Sequence, residues 1–83
     1  MLNYEEAKLV RNKFTDILEK ELTTDSVVKA IECIRIIGEI DGDDESAHSM
    51  ESKLRVAVLK QINHPLGNLV LMTDDIEFSR WYA

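Results

Sequence analysis

The chain has 83 residues, 16 acidic against 10 basic side chains, one cysteine, one proline and three glycines. That length leaves room for one domain with a thin core, because a chain this short buries only about 60–65% of its unfolded surface. A net charge of −6 argues against direct binding to nucleic acid or to an anionic membrane, both of which call for a basic face.

A lone cysteine cannot form an internal disulfide. The start of the chain has no charged-then-apolar leader pattern, and no run approaches the roughly 20 apolar residues that span a bilayer. The expectation is a soluble, cytoplasmic protein.

In chain order, Ala7, Val10, Phe14, Ile17 and Leu18 recur at steps of three and four, the stripe of a helix with one buried face. Asn3 is placed to cap it, and Glu6 three residues on completes a capping box. Lys13 and Lys20 lie near the predicted C-terminal end, where basic charge suits the helix dipole. Thr23-Thr24-Asp25-Ser26 is a cluster of capping residues and marks a turn and a restart.

From Val27 to Ile40 the apolar set is rich in β-branched residues, which alone permits a strand. Alternation fails at Val27-Val28 and Ile36-Ile37, whereas Val27, Ile31, Ile34 and Ile37 fit a helix. This is expected to be the central helix, apolar over more than half its circumference, buried between neighbours and ending near Gly38. A third helix is predicted from Ala47 to Ile62, carried by Ala47, Met50, Leu54, Val58 and Ile62, with Ser46 or Asp44 as N-cap. Pro65 suits the first turn of a fourth helix reaching Met72. Ile76 to Tyr82 reads as one or two further turns that pack Ile76 and Phe78 on the rest. The fold class expected is all-α: a compact bundle of four helices plus a short C-terminal helical segment, in a single domain over 1–83.

The charge is not evenly spread. Residues 41–51 hold Asp41, Asp43, Asp44, Glu45 and Glu51 and no base, and residues 52–64 hold Lys53, Arg55 and Lys60 and no acid. The surplus is therefore a local feature of one helix start. It reads either as a recognition patch for a basic protein partner or as carboxylates that favour a helix N-terminus.

Chemistry-bearing patterns are sparse. Counted from Asp41, a calcium loop would need Gly at its sixth position and Glu at its twelfth; this chain has Ser46 and Ser52 there. His48 and Glu51 lie three apart on one helix face and, with Asp43 and Asp44, could form a metal site or acid–base group. The second histidine, His64, is about 24 Å along the same helix at about 1.5 Å per residue. A local structural role as a capping group is the plainer reading of His48. Cys33 falls in the middle of the most apolar helix and reads as a small core hydrophobe. No phosphate loop, nucleophile elbow or zinc motif occurs, so no catalytic residue, metal or cofactor is assigned. Arg80-Trp81-Tyr82 gathers the residue types that dominate interface hot spots, and either clamps the tail or faces another chain.

Two segments, Asp43-Asp44-Glu45-Ser46-Ala47-His48-Ser49-Met50-Glu51 and Ile76-Glu77-Phe78-Ser79-Arg80-Trp81-Tyr82-Ala83, resemble small uncharacterised accessory proteins of tailed phages and prophages. Those proteins pair an acidic A-H-S-x-E helix start with a terminal F-x-R-W-[YC]-A. The resemblance covers about the second half of the chain and implies a phage accessory context, without transferring any catalytic residue. It also places Trp81 on His48.

The functional expectation is a non-enzymatic protein that binds a protein partner with a basic surface, inhibition of that partner being one way such binding would act. The partner-binding residues would be Asp41, Asp43, Asp44, Glu45, His48, Glu51, Arg80, Trp81 and Tyr82. Two other readings are a metal-dependent or catalytic module centred on Asp43, Asp44, His48 and Glu51, and a structural homo-oligomer such as a homodimer.

Overall fold

A computed structural model describes residues 1–76. They form α1 (Tyr4–Leu18), α2 (Thr24–Arg35), a π-helical turn (Ile36–Ile40), α3 (Asp44–Ile62), α4 (Pro65–Leu71) and a 3₁₀ turn (Met72–Asp75). No strand occurs among the described residues, and the fold is all-α. No helix among them is long and apolar enough to cross a membrane.

The local signals work as physical chemistry requires. Asn3 accepts from the Glu6 N–H at 2.8 Å while its own N–H donates to the Glu6 carboxylate at 3.0 Å, the full capping box. Thr23 and Ser26 build a second one at the start of α2. Pro65 occupies the first turn of α4, where its missing N–H costs nothing. The predicted basic end of α1 is absent, because the helix stops at Leu18, before Lys20 and one turn beyond Lys13.

The core is contributed by α1, α2 with its π turn, and α3: Ala7 and Phe14, then Ala30, Cys33 and Ile37, then Met50 and Leu54. Ile37 is completely buried. Burial raises the Cys33 thiol pKa, which keeps the sulfur in its neutral form.

Three expectations about α2 and α3 are corrected. The second helix does not end at Gly38; it widens into a π turn, with the Asp41 N–H reaching the Ile36 carbonyl at 2.9 Å. The Asp43 N–H then closes on the Ile37 carbonyl at 3.0 Å across Gly42, whose φ of +74° is the left-handed geometry a helix stop uses. Gly38 serves a different purpose. A Cβ there would stand 3.2 Å from the Ala47 Cβ, so its bare backbone lets α3 approach closely. α2 is also not enclosed by neighbours: although α1 and α3 both contact it, Val28 is 60% and Ile31 46% exposed. The third correction is the cap of α3, which is Asp43, not Ser46 or Asp44.

The shape departs from a compact bundle. The Cα extents are 41 × 30 × 15 Å with a radius of gyration of 13.5 Å, against about 12 Å for a compact domain of this length. In its thinnest direction the Cα atoms span 15 Å, about two packed helix layers at an interaxial distance of about 8–10 Å. α4 explains part of this: it touches α3 and the 3₁₀ turn and buries no residue. It ends at Leu71, one residue before the expected stop, as the backbone tightens to 3₁₀ at Met72. Ile76, expected to pack inward, is 55% exposed. Phe78 lies outside the described residues.

Candidate functional site

The acidic start of α3 divides into carboxylates the fold uses and carboxylates it leaves to solvent. Asp43 belongs to the first group. One of its oxygens accepts the Ser46 N–H at 3.1 Å, and the other accepts the Ser46 hydroxyl at 2.8 Å and the Arg11 guanidinium at 2.7 Å. The Ser46 backbone and hydroxyl bonds, with Arg11 alongside, hold the Asp43 carboxyl below the usual carboxylate range. Asp41 accepts the Leu2 N–H at 3.2 Å and pins the N-terminal segment to the π turn. Glu51 sits 3.3 Å from Arg55 and 3.8 Å from His48 Nδ1, one helical turn away on either side.

Asp44 and Glu45 form the second group. Both are exposed on the first turn of α3, and neither takes part in a hydrogen bond or ion pair among the described residues. Ile40, 52% exposed, immediately precedes this acidic loop.

The structure thus gathers Asp43, Asp44, Glu45, His48 and Glu51 along the first two turns of one helix, but aims them at different partners. Asp43 bonds Arg11 and Ser46, whereas His48 and Glu51 face each other. Among the described residues no group of three or more His, Cys, Asp and Glu side chains is placed to hold a metal ion. His48 does not cap α3, a role Asp43 fills. His64 does act as a cap: its Nδ1 accepts the Leu66 N–H at 3.1 Å at the start of α4. Arg80, Trp81 and Tyr82, with the expected contact of Trp81 on His48, lie outside the described residues.

Two tertiary contacts had no signal in the sequence. One is the Arg11–Asp43 pair, which joins α1 to the start of α3 across 32 positions. The other is Gln61. Its amide accepts the Leu22 N–H at 2.6 Å and donates to the Leu22 carbonyl at 2.7 Å, satisfying both backbone groups of a buried residue in the α1–α2 turn.

A second feature is a groove between α1 and α3. One part, of about 330 Å³, is lined by Arg11, Phe14, Leu18, Glu19, Met50 and Lys53, among others. The next part, of about 370 Å³, shares Leu18 and Lys53 and adds Lys20, Leu22, Val56 and Lys60. Its floor is apolar and its rim is mostly basic. Compared with protein-family models, curated proteins and solved structures, the chain matches none of them.

Proposed function

We propose that this chain works by binding a protein partner with a basic surface, through the acidic start of α3, and does no chemistry of its own. The observation that carries the reading is that Asp44 and Glu45 are charge beyond what the fold consumes. The α3 cap is already supplied by Asp43, and the charge of Asp43 is already matched by Arg11. Two carboxylates unpaired among the described residues, on one exposed turn that follows the exposed Ile40 in the chain, give a small acidic surface suited to a basic partner. Asp41, Asp43 and Glu51 support that surface by fixing its shape. The resemblance of Asp43–Glu51 to the helix start of phage accessory proteins agrees with such a role, and inhibition would follow if the partner's basic surface is itself functional.

The test is capture with wild-type protein and with the double reversal D44K/E45K, neither of whose side chains touches the core. Loss of a specific captured protein on reversal, with the circular dichroism spectrum unchanged, supports the reading. Equal capture by both baits, or a captured protein that tolerates both reversals in a purified titration, overturns it.

A further inference from the structure

The chain carries two exposed surfaces that complement each other. The first is α4 with its 3₁₀ turn. Leu66, Leu69, Val70 and Met72 are 54–68% exposed, and the segment ends in the exposed pair Asp74-Asp75. The second is the α1–α3 groove, with Phe14, Leu18, Met50 and Val56 along it and Lys20, Lys53 and Lys60 at its edge. None of these three lysines is in an ion pair among the described residues, although the chain as a whole is acidic. Among the described residues Glu19 is the one acid on the groove, and Arg11 is neutralised by Asp43.

We infer that the protein forms a two-fold homodimer in which the α4–3₁₀ segment of each copy lies in the α1–α3 groove of the other. Apolar side chains of α4 cover the apolar floor, and Asp74 and Asp75 meet the lysine rim. α4 cannot do this within its own chain. It is held against another side of α3, where a Cβ at Gly67 would stand 3.3 Å from the Leu59 side chain, and where Ser52, Arg55 and Leu59 line a cleft with Val70, Leu71 and Asp74. The two sides of α3 adjoin at Val56, which lines both. A two-fold axis beside Val56 therefore brings each α4 onto the other copy's groove, the self-complementary contact that closed dimers use.

The dimensions agree. Seven α-helical and four 3₁₀ residues span about 18 Å. The groove runs along α3 from Ser46 to Gln61, about 22 Å at 1.5 Å per residue. The association goes beyond the acidic-edge reading and does not depend on it, since Asp44 and Glu45 lie on neither surface.

Sedimentation velocity on the full chain, from 5 to 200 μM, tests the inference. The expected result is a dimer that L66D/L69D weakens about 10- to 100-fold, because each substitution is present twice in a two-fold contact. K53E/K60E should also weaken it. Adding D74K/D75K to K53E/K60E should restore it, which a merely structural lysine would not allow. Zero-length carbodiimide coupling of mixed light and ¹⁵N-labelled protein should join Asp74 or Asp75 of one isotope to Lys53 or Lys60 of the other. A wild-type monomer at 200 μM overturns the proposal, whether residues 77–83 or another protein's acidic segment fills the groove. So does a dimer indifferent to these substitutions, or coupling confined to one isotope. D44K/E45K should leave the dimer intact, so failure of the dimer and failure of the acidic-edge reading are told apart.

Discussion

α2 and α4 are both short, apolar helices announced by the same kind of sequence, and they end in opposite environments. α2 and its π turn place Ala30, Cys33 and Ile37 against α1 and α3, with Ile37 fully enclosed. α4 carries Leu66, Leu69, Val70 and Leu71 and buries none of them. Apolar spacing thus predicts that a helix forms and which stripe could be buried. It does not say that a covering element exists. α2 has two such elements, whereas among the described residues α4 has only α3 and its own 3₁₀ turn.

The contrast is sharpest in stability. Ile37→Ala should cost about 2–5 kcal/mol by emptying a completely buried site, enough to unfold much of a domain this small. Leu69→Ala should cost under about 0.5 kcal/mol in the monomer. Urea titrations of the two variants, at a concentration below any self-association, check this. Comparable losses at the two sites would break the distinction between a packed region and an applied one.

The π turn gives the next largest effect. Gly38→Leu forces a side chain into the space where Ala47 now stands 3.2 Å from a would-be Cβ, and should cost about 1–3 kcal/mol through displacement of α3. Thermal unfolding reads it out. The corresponding change at Gly67 should be milder, since the atom it meets there is the end of a Leu59 side chain.

Gln61→Ala should cost about 1–2 kcal/mol, because it strips both backbone groups of Leu22 of their partner. Gln61→Glu separates the two bonds: it keeps an acceptor for the Leu22 N–H and removes the donor for the carbonyl. Chemical denaturation of both variants should place it between Gln61→Ala and wild type if the accepting bond dominates.

Asp43 gives a smaller, pH-dependent term. Asp43→Ala should cost about 0.5–2 kcal/mol at neutral pH through loss of the α3 cap. The folded state lowers this carboxyl's pKa, so the folded protein holds the proton less tightly than the unfolded chain. The associated stability is therefore fully present above the unfolded value and lost as pH falls through the lowered folded value. The gap between wild type and Asp43→Ala should accordingly narrow in acid. A gap independent of pH from 7 down to 2 would show that Asp43 acts by something other than its charge.

Much of the helical plan was legible in the residues. Asn3 with Glu6, the capping cluster beginning at Thr23, and Pro65 act within three or four positions of themselves, so their effect does not wait on the rest of the chain. The candidate site was legible only as a charge cluster. That Asp43 is a cap held by Arg11, while Asp44 and Glu45 stay unpaired, depends on where α1 lies relative to α3. The same limit hid Gln61, whose partner is 39 positions away, and the close approach of Ala47 to Gly38.

The sequence by itself therefore determined an all-α chain, the starts of α1, α2 and α4, and the concentration of acid before α3 and base within it, because each of these rests on short-range hydrogen bonds, dihedral preferences and composition. The tertiary structure alone decided which apolar stripes are covered, which carboxylates are spent on the fold, and that the lysines of α3 and Lys20 share one groove. Those outcomes depend on contacts between segments 30 to 40 positions apart, and no local pattern encodes which distant surface will arrive.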